Sequence, residues 1–186
     1  RWWAVVAPAL ALATATTACS SDAGSDGAAA PTTTSARPTS TTTTVPAAEE
    51  LAADATDFYT VPATLPTGPH GTLIRFQEVT PTVVEGATTY RIMYTSQSME
   101  GTPIPVTGTV LVPEAPAPTD GRPLLAIAHG TTGIADECAP SKEPGGELRL
   151  LGEPVENGWL VAETDYEGLG TPGRHPYLVG ESEGRT

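Results

Sequence analysis

Pro123 is followed by an uninterrupted apolar run, Leu124 to Ala128, and then by His129-Gly130-Thr131-Thr132-Gly133. The run is too short for a stable helix. Bounded by a proline and a glycine, it fits a strand buried on both faces, the position of a central strand in a parallel sheet. The glycine and threonine segment after it can turn backbone N–H groups into a cleft instead of into a hydrogen-bond ladder. In open α/β sheets ligands sit beyond the carboxyl ends of the strands, and this loop occupies such an end. It is therefore the first place to look for chemistry.

Three segments upstream alternate in the two-residue period of strands. Gly71 to Thr80 is expected to put Ile74 and Phe76 on one face and Arg75 and Gln77 on the other. Ala87 to Ser96 separates Tyr90, Ile92 and Tyr94 from Arg91, Met93 and Thr95, and Pro105 to Val112 places Val106, Val110 and Val112 together. Short connections make these an antiparallel lead-in. Downstream, Glu147 to Glu156 has Leu148, Leu151 and Val155 at helical spacing, although Gly152 and Pro154 weaken its last turns. Trp159 to Thr164 is a second strand. Strand, helix, strand over this length predicts a βαβ crossover with Leu124 to Ala128 and Trp159 to Thr164 parallel. The fold class is thus α/β: a mixed sheet in which antiparallel N-terminal strands lead into parallel central strands.

The first 56 residues have a different texture. Arg1, the apolar Trp2 to Ala15 and the small residues before Cys19 have the form of a secretory signal over residues 1–19, lacking its first few residues. Ala18-Cys19 resembles the lipobox of bacterial lipoproteins, which would make Cys19 a lipidation site and attach the protein to a membrane. Thr16 departs from the Leu or Val usual in that motif, and the alternative is an ordinary signal with an incidental cysteine. Residues 20–56 are rich in Thr, Ser, Pro and Ala. They lack the apolar surface needed to offset ordering entropy and read as a disordered tether, with at most a helical turn over Glu49 to Asp57. The domain proper would run from residue 57 to 186. Export follows, either to the cell surface as a lipoprotein or into the medium.

Nine Lys plus Arg against 22 Asp plus Glu give a net charge of -13, which repels phosphate backbones and argues against nucleic-acid binding. Cys138 reads as half of a disulfide, because an unpaired thiol is uncommon in exported proteins; a free, buried cysteine is the alternative. The chain begins at Arg1 and stops at Thr186 without a closing element, and is read as an N-terminal fragment. No metal site is expected, since His129, Asp165, Glu167 and His175 follow no tight ligand spacing.

Gly180-Glu181-Ser182-Glu183-Gly184 matches G-x-S-x-G, the sequence of a nucleophile elbow. Its setting is wrong for one. An elbow needs a buried strand running into the serine, and here a short stretch after Pro176 precedes it. Glu181 and Glu183 would oppose both deprotonation of Ser182 and an oxyanion beside it. Ser182 reads instead as part of a helix turn.

Several words together carry a resemblance: Asp57-Phe58-Tyr59, the loop His129 to Gly133, Cys138-Ala139-Pro140-Ser141, Asn157 to Gly170 with its Asp165-Tyr166-Glu167-Gly168-Leu169-Gly170, and Gly180 to Arg185. From Asp57 onward the chain resembles the secretory lipase family, α/β-hydrolases that include fungal lipase A type enzymes and many actinobacterial lipoproteins. The resemblance implies an α/β-hydrolase-like sheet and a serine lipase or esterase. Such an enzyme cleaves triacylglycerol-type lipids or other acyl esters through an acyl-enzyme, without a cofactor. It also implies that nucleophile, acid and catalytic histidine lie beyond Thr186, so that this fragment alone is inactive. One oxyanion-hole donor would be the N–H of Thr131 or Thr132, with Gly130 and Gly133 admitting the substrate carbonyl. His129 is assigned to shaping the loop and not to proton transfer. Asp165 is read chiefly as an acceptor that braces the loop, a cleft-facing carboxylate being the alternative. The competing reading is a non-catalytic envelope lipoprotein that uses a hydrolase-like fold for binding.

Overall fold

The computed structural model describes residues 47–186. The signal segment, Cys19 and residues 20–46 of the expected tether lie outside the described residues. Six strands form one sheet: β1 (Glu49–Leu51), β2 (Leu73–Val79), β3 (Ala87–Gln97), β4 (Pro103–Pro113), β5 (Leu124–Ile127) and β6 (Leu160–Thr164), in the order β1-β2-β3-β4-β6-β5. β2, β3, β4 and β6 pair antiparallel in succession, and β5 pairs parallel to β6, with Leu124 opposite Leu160 and Ile127 opposite Glu163. The sheet is mixed, and the parallel pair joined by a crossover is present.

Four sequence expectations are corrected. β5 is not central. Among the described residues it is the outermost strand beside β6, with Leu124 61% exposed, because nothing described pairs with its far edge. The disordered segment and helical turn expected to reach residue 56 give way at Glu49 to a strand: Glu49 to Leu51 add in parallel to the edge of β2. Three residues suffice, since a free strand edge supplies partners that helix propensity cannot.

β2 departs from simple alternation. A register irregularity lies between Leu73 and Arg75, so Ile74 is a bulge residue. Ile74 therefore faces the same side as Arg75 and packs with Phe58 and Met93. Phe76 faces away and meets the Tyr90 ring edge-on at 5.9 Å. The single helix expected over Glu147 to Glu156 is two pieces, a 3-10 segment (Gly146–Leu150) and a short helix α1 (Gly152–Glu156). Pro154 has no N–H to donate, which prevents one continuous ladder. The expected apolar face survives the break. Leu148 and Val155 are buried with Val84, Ala87, Leu111 and Val161, and Leu151 packs against them.

One face of the sheet is thus covered. The opposite face leaves an apolar groove of about 350 Å³ lined by Phe76, Tyr90, Ile92, Val110, Val112 and Leu160.

Candidate functional site

β5 delivers the chain into the loop His129 to Gly133, where His129 is buried while Gly130, Thr131 and Thr132 are exposed. The N–H of Gly130 reaches only a long contact with Glu147 Oε1, at 3.5 Å. The N–H groups of Thr131 and Thr132 donate to no described residue. Such donors are normally satisfied, so exposed free ones at a strand end are available to a ligand. Gly133 has φ +137, and a Cβ there would run into the Cys138 side chain. Only glycine lets the loop close on that cysteine. Cys138 forms no disulfide with a described residue.

The same loop borders a cavity of about 330 Å³ lined by His129, Thr131, Thr132, Glu147 and Glu163, among others. A second pocket of about 70 Å³ lies between the loop, Tyr166, His175 and Glu183. His129 itself is tied down. Its Nδ1 lies 2.6 Å from the Gly130 carbonyl, which can only accept, so the proton of a neutral ring sits on Nδ1. Nε2 is then a buried acceptor without a partner. Shut off from solvent, it is poorly placed for proton transfer.

Behind the loop, widely separated parts of the chain meet in one buried network. Asp165, at the end of β6, is fully buried and accepts the Ser141 N–H at 2.8 Å, the Ser141 hydroxyl, and the Thr107 hydroxyl at 2.6 Å. The one proton of Ser141 goes to Asp165, so Tyr59 Oη, 2.8 Å from Ser141 Oγ, must be the donor to it. Arg91 Nε donates to the Ser141 carbonyl at 2.7 Å, and its guanidinium lies over the rings of Phe58 and Tyr59. Asp57-Phe58-Tyr59, Cys138 to Ser141 and Asp165 to Gly170 thus belong to one support. Burial raises the Asp165 carboxyl above its ordinary value, and the Ser141 and Thr107 donors offset only part of that rise. Burial also pushes the Tyr59 phenol up to about 12, which keeps it a donor.

Gly168 in the same word has φ +70, and a Cβ there would stand 2.6 Å from the backbone nitrogen of His175. The chain after β6 must fold back at that point, and only glycine fits.

Glu163 is the residue that sequence reasoning missed. It points inward two residues after the core Val161 and lies on the wall of the larger cavity. Burial first, then the carboxylates of Asp165 and Glu147, push it up to about 7. The available signal was strand alternation, which puts a carboxylate on the buried side of β6.

Ser182 lies in the short helix α2 (Gly180–Glu183), is buried, and donates to Glu167 Oε2 at 2.5 Å. No strand leads into it, and a hydroxyl held by a carboxylate away from solvent cannot meet a substrate. Among the described residues no group of three or more His, Cys, Asp or Glu is placed to hold a metal ion.

No family model matches the chain. Lipase A of Arthroderma benhamiae is 30% identical over 100 residues, covering 46% of this chain and 21% of that protein. The closed state of Candida antarctica lipase A superimposes with a TM-score of 0.56 at 20% identity, over 69% of this chain and 32% of that one. Over that part the described sheet shares the fold of this lipase. The rice cell wall degrading esterase LipA from Xanthomonas oryzae is also similar, at 22% identity over 62% of this chain and 34% of that one, with a TM-score of 0.46. The chain therefore spans about a fifth of its curated relative and about a third of the solved lipase.

Proposed function

We propose that this chain supplies the oxyanion side of an exported serine lipase or esterase that cleaves acyl esters through an acyl-enzyme. The observation that carries the reading is the pair of free N–H groups at Thr131 and Thr132, on a glycine-bounded loop that follows β5 and lines a cavity. The names of the relatives, lipases and an esterase, favour this chemistry over other uses of the fold.

In the proposed reaction a serine downstream of Thr186, at the end of a strand seated against the free edge of β5, gives its proton to a downstream histidine and attacks the ester carbonyl carbon. The carbonyl π electrons move to oxygen, and the resulting oxyanion accepts hydrogen bonds from the loop N–H of Thr131 or Thr132 and from the residue after the nucleophile. Collapse expels the alcohol, which takes a proton from a downstream histidine. Water then attacks the acyl-enzyme by the reverse sequence and frees the acid. His129, Gly130, Gly133 and Asp165 shape and brace the loop, and Cys138 closes under it, available to a downstream cysteine.

Residues 1–19 would export the protein, with Cys19 as lipid anchor. The following Thr, Ser, Pro and Ala segment would hold the domain off the membrane, and the domain would begin by Glu49, whose strand pairs with β2.

The test is active-site labelling of the full-length protein with a fluorophosphonate, followed by mapping of the modified peptide. Modification of a serine downstream of Thr186 is expected, with loss of ester hydrolysis in proportion. Modification of Ser182 would overturn the site assignment. Absence of both labelling and ester turnover would favour the binding-protein alternative.

A further inference from the structure

Tyr166 is held in an unfavourable backbone conformation by contacts that converge on the oxyanion loop. Its φ is +69, in the left-handed region that costs a non-glycine residue free energy and persists only where the surroundings enforce it. The enforcing contacts are its N–H, which donates to Thr164 Oγ1 at 3.1 Å, and its ring, which packs on the His129 imidazole with centroids 4.4 Å apart. The His175 ring lies near-parallel to it at 6.4 Å. In this conformation the phenol donates to the backbone carbonyl of His129 at 3.0 Å, in a buried setting. His129 is the residue at which β5 turns into the loop bearing the Thr131 and Thr132 N–H groups. A strained residue that spends its hydroxyl on that one carbonyl fixes the His129–Gly130 peptide plane, and the His129 ring it packs on holds the Gly130 carbonyl, whose plane carries the Thr131 N–H.

Resting on the function proposed above, we infer that Tyr166 is a positioning residue for the oxyanion hole, setting the direction of the Thr131 and Thr132 N–H groups through the His129 carbonyl. It touches no reacting atom. Burial, with Glu183, Glu147 and Glu163 nearby, raises the phenol, so it remains a donor across the working pH range. A misdirected loop would still bind substrate but would stabilise the tetrahedral oxyanion less, so the loss belongs in kcat and not in KM.

The test uses the full-length enzyme with Tyr166→Phe, which keeps the ring and removes only the donor, on matched ester and thionoester substrates. A thionoester develops its charge on sulfur, a weaker acceptor, and depends less on aimed N–H groups. Expected for the ester is a kcat loss of about ten-fold, the scale of one ordinary hydrogen bond expressed as a rate, with KM within about two-fold. The thionoester rate should fall less than about two-fold, and the thermal midpoint should stay close to wild type. Thr164→Val, which removes the acceptor of the Tyr166 N–H, should give a smaller ester-selective loss of the same form. Equal loss on both substrates together with a lowered thermal midpoint would make Tyr166 merely structural and overturn the inference. Wild-type rates in both variants would overturn it as well, leaving the ester-hydrolase reading intact. A wild-type enzyme that turns over no ester would remove that reading and this inference together.

Discussion

Replacing Glu163 by Gln isolates the energetic consequence of a carboxyl enclosed beside other carboxylates. Its ordinary value is 4.5 and its native value is about 7, with burial the largest cause and Asp165 and Glu147 adding to it. At about 1.4 kcal/mol per tenfold change in proton affinity, this corresponds to at most about 3.5 kcal/mol. The folded protein holds the proton more tightly than the unfolded chain does. The contribution to stability is therefore fully present below 4.5 and is lost as pH rises through about 7. Glutamine has no proton to lose, so its stability lacks this component of pH dependence. The cost of fitting the amide is the same at every pH and cancels when the two profiles are compared. Urea unfolding of wild type and Glu163→Gln from pH 4 to pH 8 should diverge steadily, with the variant gaining on wild type up to about pH 7. With a denaturant slope of about 2 kcal/mol per molar, the relative midpoint gain approaches about 1.7 M. Parallel profiles would show that the carboxyl ionises without penalty and that the cavity wall at Glu163 is wetter than its burial implies.

Gly168→Ala should destabilise the protein by about 2 kcal/mol or more in urea unfolding, because the positive φ and the approach to the His175 backbone are both penalised. Leu148→Ala, deep in the cluster under β4 and β6, should cost about 2 to 5 kcal/mol by the same measurement, and a loss under about 1 kcal/mol would mean that the 3-10 segment is not part of the core.

The strands of the sheet were legible because their side chains alternate, and the parallel pairing of β5 with β6 followed from a crossover that could run no other way. What remained hidden depended on partners distant in sequence. The bulge at Ile74 is set by its pairing with β3, and no local pattern reports it. The short run Glu49 to Leu51 carries no strand signal of its own and is a strand only because β2 offers an edge. β5 has the composition of a central strand, yet its place in the sheet is decided by what lies beside it. At the site, the loop from His129 to Gly133 stood out by its glycines and hydroxyls. Its support did not, since Thr107, Tyr59, Ser141 and Asp165 come together only after four stretches of chain are brought into contact. Tyr166 was visible as part of a word, but its positive φ and its bond to the His129 carbonyl belong to the folded chain.

The proposed oxyanion role of the loop after β5 is tested most directly by ester turnover of Thr132→Pro in the full-length protein. The substitution removes one N–H from the exposed face of the loop and leaves the Asp165 network untouched. Loss of one such donor costs about 2.7 to 4 kcal/mol of transition-state stabilisation, so kcat on an acyl ester should fall by about 10² to 10³ while the unfolding midpoint stays near wild type. Turnover within a few-fold of wild type by a folded Thr132→Pro protein would contradict the account.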